Sequence, residues 1–244
     1  MYRSHVEAID SRWPSLYGLG GVAALLALVV GVVEIVLTFL PGGNPTGIVT
    51  AVDWYGFFQS TWFFGLRNLG LLNIFLTSLG VLILFALYGA HRQVNQLYAA
   101  LALAVSLMGA AVFFATNRAF PMLDLSREYA AAATEGQRLQ LAAAGEALLA
   151  VGQSHTPGTF LAFALSEIGT IGMALVMLRG KVFSPAAAYF GLVGFGLLLI
   201  YEVCASFIPA AKAVAMIIAI LGGLSSMVWY LLVARRLFQL GRKE

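Results

Sequence analysis

LYGLGGVAALLALVVGVVEIVLTFL, the 25 residues from Leu16 to Leu40, is the stretch that decides the fold class. A helix needs about 20 apolar residues to cross a hydrocarbon core of about 30 Å, so this run is long enough to span a membrane. It is also longer than the 7–15 residues of a signal-peptide core, and no A-x-A-like cleavage site follows it. The sequence therefore predicts a retained transmembrane helix.

Five further apolar runs meet the same length criterion. They extend over about Asn68 to Ala90, Leu97 to Thr116, Thr159 to Leu178, Ala186 to Ile208 and Ala213 to Ala234. The composition agrees, since 61% of the residues are hydrophobic and only 10% are charged, against about a quarter charged in a soluble domain. A single cysteine, Cys204, excludes a disulfide scaffold. The prediction is an all-α, polytopic membrane bundle of six transmembrane helices, forming one domain over residues 1–244 in a lipid bilayer.

The basic residues predict the orientation of this bundle, because cytoplasmic loops carry an excess of Lys and Arg. With the N-terminus inside, nine basic residues fall on the inner side: Arg3, Arg12, Arg92, Arg179, Lys181, Arg235, Arg236, Arg242 and Lys243. Five fall on the outer side: Arg67, Arg118, Arg127, Arg138 and Lys212. We therefore expect a bacterial-type inner membrane protein with both termini in the cytoplasm. The net charge of +3 follows from this asymmetry, and no nucleic-acid partner is needed to explain it.

Two long connections on the outer side predict short helices at the membrane surface. Residues 41–67 are dense in aromatic side chains, which suits a helix lying at the headgroup level, either as an anchoring belt or as a lid over a ligand. In residues 117–158, Asp124 is a plausible helix start, and Thr134 with Gln137 forms a capping-box pattern. We expect two short helices there, which either cover the ends of the bundle or take part in function.

Three glutamates lie within the apolar runs, where an ionisable side chain is costly and is by default a candidate for function. They are Glu34, Glu167 and Glu202, and Asn73 lies in a fourth run. Counted from the outer ends of their helices, all four fall roughly 8–12 Å below the outer boundary. The common depth predicts one acidic cavity that leans towards the outer side.

Polar residues three or four positions along each helix extend the same faces. These are Thr38 after Glu34, Thr77 after Asn73, Thr170 after Glu167 and Ser206 after Glu202. Together the eight residues are the predicted ligand-binding set, in which the glutamates polarise the ligand and Asn73 orients it.

Several functions are compatible with such a cavity. The working hypothesis is binding or transport of a small cationic, protonated or lipid-like ligand. A metal-dependent enzyme that acts on a lipid is an alternative from another class, with a divalent ion held by Glu34, Glu167, Glu202 and His155, although the sequence requires no cofactor. A third alternative is structural: each glutamate is protonated or paired with Arg67, Arg118 or Lys212, and the chain is an oligomer or a subunit of a larger membrane complex.

Several familiar chemistries lack their residues in this sequence. No HExxH or paired-histidine spacing is present, and no Gly-x-Ser-x-Gly nucleophile occurs. The glycines Gly191, Gly194 and Gly196 lie inside an apolar run and indicate helix packing, not a phosphate loop. Lys181 and Lys212 lie at helix ends, where neither suits a retinal Schiff base.

Part of the chain resembles a large bacterial family of six-helix membrane proteins known only as a domain of unknown function. The resemblance extends over about Leu82 to Glu146, a quarter of the chain. It is carried by Leu84-Phe85-Ala86-Leu87-Tyr88 and by Leu123-Asp124-Leu125-Ser126-Arg127-Glu128-Tyr129. It implies the six-helix plan and no activity.

Overall fold

The computed structural model of the chain describes residues 13–43 and 45–242. Three basic residues that the orientation argument counts on the inner side, Arg3, Arg12 and Lys243, lie outside the described residues. The described part is all-helical and contains no strand. Its helices are α1 (Trp13–Thr38), α2 (Ala51–Ser60), α3 (Trp62–Asn68), α4 (Leu71–Thr116), α5 (Ala119–Ala131), α6 (Glu135–Gly152), α7 (Phe160–Gly180), α8 (Pro185–Phe207) and α9 (Lys212–Gly241), with a short 3-10 turn at Pro209–Ala211.

Five helical stretches in the described residues are long and apolar enough to cross a membrane, where the sequence predicts six. They are Trp13–Thr38, Leu71–Ala131, Phe160–Gly180, Pro185–Phe207 and Ala213–Gly241. The difference arises because the predicted second and third spans both belong to α4. The residues between them, His91 to Gln96, include no glycine or proline that would interrupt a helix.

Helix α4 nevertheless reverses direction in its middle. It is 46 residues long and would measure about 70 Å if straight. However, the side-chain amide of Asn117, just beyond its C-terminus, donates a hydrogen bond of 3.3 Å to the carbonyl of Leu69, just before its N-terminus. The reversal is at Asn95, the only residue within α4 with non-helical dihedrals (φ −154°, ψ 61°). We call residues 71–94 the first arm of α4 and residues 96–116 the second arm.

The long helices pack antiparallel around a core of alanines and large apolar side chains, in the order first arm, α1, α9, α8, α7, second arm. Close approach requires glycine at several contacts. A Cβ at Gly109, in the second arm, would lie 2.6 Å from the backbone nitrogen of Ser166 in α7. A Cβ at Gly194, in α8, would lie 2.9 Å from the backbone nitrogen of Ser226 in α9. These contacts fix how the helices face one another, and so which side chains point inward.

The two ends of the bundle differ in charge. At one end the arginine Nε of Arg236 donates to the carbonyl of Val182 at 2.7 Å, and a Cβ at Gly180 would lie 2.8 Å from the His91 ring. We call this the basic end, because it carries Arg92, Arg179, Lys181, Arg235 and Arg236. The opposite end is covered by the four short helices α2, α3, α5 and α6, which we call the cap.

The cap is a packed unit with its own hydrophobic core. Trp54, Tyr55, Phe58, Leu66 and Met122 are among its buried side chains. Helix α2 begins at a capping box between Thr50 and Asp53, and the carboxylate of Glu146 accepts a 2.6 Å hydrogen bond from the backbone of Ala51. The cap therefore joins segments that are 95 residues apart in the chain.

The predicted short helices are present, with two corrections to their boundaries. The capping box of Thr134 and Gln137 is confirmed at the start of α6. The expected helix start at Asp124 is wrong, because α5 begins at Ala119 and Asp124 lies within it. Residues 41–67 form two short helices, with a break at Thr61, where the sequence predicts one.

Candidate functional site

The first glutamate of the predicted cavity, Glu34, is held by an arginine of the cap. The Arg67 side chain is 5% exposed; it forms an ion pair with Glu34, and its Nε lies 3.2 Å from Glu34 Oε2. The same guanidinium donates to the Glu34 carbonyl (3.1 Å), to the Thr38 hydroxyl, to the Gly43 carbonyl and to Asn68 Oδ1 (3.0 Å). Arg67 therefore neutralises Glu34 and fastens α3 to the end of α1.

The second glutamate, Glu202, is completely buried and paired with a histidine. Its Oε2 lies 2.6 Å from Nδ1 of His155, and its Oε1 accepts a 3.3 Å hydrogen bond from the Ser206 hydroxyl. His155 reaches it from the loop between α6 and α7, with φ at +57°, a left-handed backbone that a non-glycine residue seldom adopts.

Aromatic rings fix the position of His155. Its ring stacks on Phe163 with centroids 4.8 Å apart and meets the Tyr201 ring at 5.0 Å in an edge-on arrangement. The His155 side chain is 35% exposed, whereas its partner Glu202 is not exposed at all. The histidine thus lies between the buried carboxylate and the surface.

The third glutamate, Glu167, has no cationic partner among the described residues. Its Oε2 atom is buried and accepts no hydrogen bond. It lies close enough to Glu202 for the two carboxyl groups to interact electrostatically, and Tyr201 interacts with both. His155 interacts in the same way with Glu34. The three predicted glutamates therefore differ in their partners: Arg67 for Glu34, His155 for Glu202, and no cation for Glu167 among the described residues.

The other predicted site residues contribute unequally. Thr38 donates to the Glu34 carbonyl at 2.7 Å, and Ser206 contacts Glu202 directly. Thr170 is buried and donates to the Ser166 carbonyl of its own helix at 2.8 Å. Within the described residues, neither Asn73 nor Thr77 forms a hydrogen bond to any of the three glutamates. The orienting role of Asn73 therefore stays a prediction without a direct contact.

The residues proposed as metal ligands do not form a metal centre. Nowhere in the described ranges do three or more His, Cys, Asp or Glu side chains come together in a group that could hold a metal ion. For Glu34, Glu167, Glu202 and His155 the physical reason is that Glu34 is already paired with Arg67 and Glu202 with His155.

The sequence predicts the glutamates of the site but not the partner of each one. Arg67 is predicted only as one of several cations at the outer rim and His155 only as a metal ligand. In the structure Arg67 pairs with Glu34 and His155 pairs with Glu202. The sequence assigns no role to Phe163 or Tyr201. Phe163 lies four residues before Glu167, and this spacing, which places two residues on one helix face, is the available signal; the position of Tyr201 directly before Glu202 gives none.

Comparisons with known proteins give a family and no activity. The family described as Domain of unknown function (DUF4386) matches residues 63–234, which include α4 to α8, most of α9 and the carboxylates of Glu167 and Glu202. No curated protein and no solved structure matches the chain. The match extends well beyond the resemblance over Leu82 to Glu146 noted in the sequence. The chain belongs to the DUF4386 family, whose members share a domain of unknown function.

Proposed function

We propose that this membrane protein binds a small cationic or protonated ligand at the cap end of its bundle, with Glu167 as the group that receives the charge. The observation that carries the proposal is the contrast between the three glutamates. Arg67 neutralises Glu34 and His155 pairs with Glu202, while the buried Oε2 of Glu167 has no hydrogen-bond partner among the described residues. A buried acceptor without a partner is unfavourable, so a donor supplied by a ligand would be held there.

The surroundings of Glu167 favour a cation. Glu202 adds negative charge, and the rings of Phe163, His155 and Tyr201 lie nearby. Aromatic faces attract ammonium groups, most strongly where water is excluded.

The proposed topology has six crossings, with each arm of α4 crossing once. The reversal at Asn95 supports it, because the arms are antiparallel neighbours and each is about as long as a membrane span. The described basic residues at the basic end support a cytoplasmic location of that end in a bacterial-type inner membrane. The cap would then lie on the outer face, with its short helices at the lipid headgroups.

The binding proposal is tested by thermal unfolding of the purified full-length protein in detergent, with a series of methylamine, tetramethylammonium and dodecylamine. We expect at least one amine to raise the midpoint of unfolding of the wild type at millimolar concentration. Glu167→Gln should abolish that rise, whereas Glu128→Gln, which removes an exposed carboxylate of the cap, should retain it.

The outcomes separate the alternatives. Stabilisation by dodecylamine alone identifies a lipid-like ligand, and amine flux into proteoliposomes that depends on Glu167 identifies transport. Equal stabilisation of wild type and Glu167→Gln contradicts the proposal. If no amine stabilises the wild type while unrelated subunits copurify with it, the role in a larger membrane complex replaces the proposal.

A further inference from the structure

A groove lies on the surface of the bundle between the second arm of α4 and α7. Its volume is 280 Å³. Its rims are apolar side chains that face outward, including Leu101, Ile168 and Leu175, which are 59%, 48% and 46% exposed. Its floor consists of Ala102, Gly169 and Gly172. None of the three glutamates lines the groove, so binding there is independent of the proposed amine site and rests only on the proposed orientation of the basic end.

The polar lining of the groove is confined to its basic end. Because α7 is antiparallel to the second arm, Asn95, Tyr98 and Arg179 all line that end, whereas Val105 and Ile168 line the other. No acidic residue lines the groove. Arg179 is exposed and forms no hydrogen bond or ion pair with any residue that the structure describes. The groove is thus apolar along most of its length and has one unpaired cation, Arg179, at its basic end.

We infer that this groove is a binding site for an anionic phospholipid, with the phosphate at Arg179 and an acyl chain along the Ala102–Gly172 floor. Basic pockets between transmembrane helices at the cytoplasmic side favour anionic headgroups. Arg179 supplies the positive charge, and Tyr98 and Asn95 supply neutral polar contacts. The small residues of the floor, Ala102, Gly169 and Gly172, leave the depth that an acyl chain needs.

The size of the groove favours a lipid chain over a helix of a second copy. From Asn95 to Val105 the groove is about 15 Å long, and a helix 10 Å in diameter occupies about 1,200 Å³ over that length. The space within the groove, about 280 Å³, cannot enclose a helix, which would rest only on the rims, whereas an acyl chain is narrow enough to lie inside it. A second copy related by twofold symmetry would also bring two copies of Arg179 towards one another.

The two floor glycines differ in a way that makes the groove testable. A Cβ at Gly169 would lie 2.6 Å from the backbone nitrogen of Ser106, so substitution there disrupts the packing of the two helices. A Cβ at Gly172 would meet only Ala102, at 3.4 Å, which is an ordinary contact. Gly172→Leu should therefore fill the groove without separating α7 from the second arm.

The test compares lipid binding by native mass spectrometry and by thermal unfolding of the full-length protein in detergent. The probes are phosphatidylglycerol, phosphatidylcholine with the same acyl chains, and inorganic phosphate. We expect the wild type to retain phosphatidylglycerol and to be stabilised more by it than by phosphatidylcholine. Arg179→Gln should weaken phosphatidylglycerol binding about fivefold and leave phosphatidylcholine binding unchanged. Gly172→Leu should weaken the binding of both lipids.

Two controls match these variants. Arg235→Gln removes another exposed arginine of the basic end that does not line the groove, and Gly196→Leu places a leucine where a Cβ meets nothing within 4 Å. Both controls should bind lipid as the wild type does. If Gly172→Leu fails to fold, the comparison of Arg179→Gln with Arg235→Gln still decides the result.

Three outcomes would overturn the inference. The first is equal loss of phosphatidylglycerol in Arg179→Gln and Arg235→Gln, which would show a diffuse effect of basic charge. The second is stabilisation by inorganic phosphate alone, which would show an anion site without a lipid chain. The third is a dimer in detergent that Gly172→Leu dissociates, which would make a second copy the occupant.

Discussion

His155 and Glu202 lie 47 positions apart in the sequence, yet the histidine Nδ1 is 2.6 Å from a carboxylate oxygen that has no contact with solvent. The contact links the loop that leaves the cap to the interior of the bundle near its cap end. A buried carboxylate that loses its donor bears the full cost of desolvation, so this pair is central to the stability of the cap end.

Removal of the histidine should therefore destabilise the protein. We expect His155→Ala to lower the free energy of unfolding by about 1–3 kcal/mol, because Glu202 Oε2 then lacks a donor. Chemical unfolding in detergent measures the change. In a Glu202→Gln background the same substitution should cost clearly less, since the pair is already altered, and an equal cost in both backgrounds would contradict a direct pair.

Arg67, the cap residue that pairs with Glu34, should not be replaceable by lysine. Its planar guanidinium donates to Glu34, Gly43 and Asn68 at once, and an ammonium group lacks that fork of donors. We expect Arg67→Lys to cost about 2 kcal/mol of unfolding free energy. The matched control is Arg127→Lys at an exposed position of α5, which should change stability by less than about 0.5 kcal/mol. Similar effects of both substitutions would refute the network.

Alkaline pH should loosen the cap through Tyr55. Burial, reinforced by the nearby Glu146 carboxylate, raises the pKa of the Tyr55 phenol to about 12, and its hydroxyl donates to the Leu141 carbonyl at 2.7 Å. Because the folded pKa lies above the ordinary value of 10.0, the stabilisation is complete below pH 10 and is lost as the pH rises towards 12.

Tyr55→Phe isolates this contribution. It should cost about 1 kcal/mol at neutral pH through the lost hydrogen bond. The difference in unfolding midpoint between wild type and Tyr55→Phe should then shrink between pH 10 and pH 12. A difference that stays constant over this range would show that the phenol does not titrate with folding.

Glycine substitutions should report on the packing of the two arms of α4. Gly109→Ala places a methyl group 2.6 Å from the Ser166 nitrogen and should cost about 1–3 kcal/mol. Gly80, in the first arm, meets nothing within 4 Å, so Gly80→Ala should be neutral or stabilise the helix by up to about 1 kcal/mol. Thermal unfolding of both variants checks the contrast, and equal effects would mean that α7 does not approach the second arm at Gly109.

The single cysteine makes the proposed topology directly measurable. Two variants in a Cys204→Ser background test it: Glu135→Cys in the cap and Arg235→Cys at the basic end. An impermeant maleimide should label these two cysteines from opposite sides of the membrane. Labelling of both from the same side would exclude six crossings with cytoplasmic termini. Labelling of Arg235→Cys from outside in intact cells would reverse the orientation.

The apolar runs make the bundle predictable, because a spanning helix depends on length and hydropathy that a local stretch of sequence contains. For the turn between the arms of α4 the sequence predicts an ordinary loop from His91 to Gln96, since no local signal shows that a single residue, Asn95, suffices. The start of α5 is misplaced for a similar reason. Asp124 suits an N-terminus, but packing of Ala119 and Met122 in the cap core extends the helix backwards.

The sequence predicts a common depth for the three glutamates, but it does not predict that each of them has a different partner. Arg67 and His155 come from cap segments whose position depends on long-range packing, so no local pattern shows which acid each of them meets. That Glu167 lacks a partner becomes clear only once the structure shows that Arg67 pairs with Glu34 and His155 with Glu202.

The reversal of α4 at one residue has a mechanical consequence. A flexible loop would let two neighbouring helices slide independently, whereas Asn95 leaves almost no slack between the arms. An axial displacement of one arm must therefore be passed to its neighbour, and Asn117 joined to Leu69 closes the opposite end of the pair. We therefore expect the two arms to move as one unit, and any rearrangement of the bundle to displace the other helices relative to this pair.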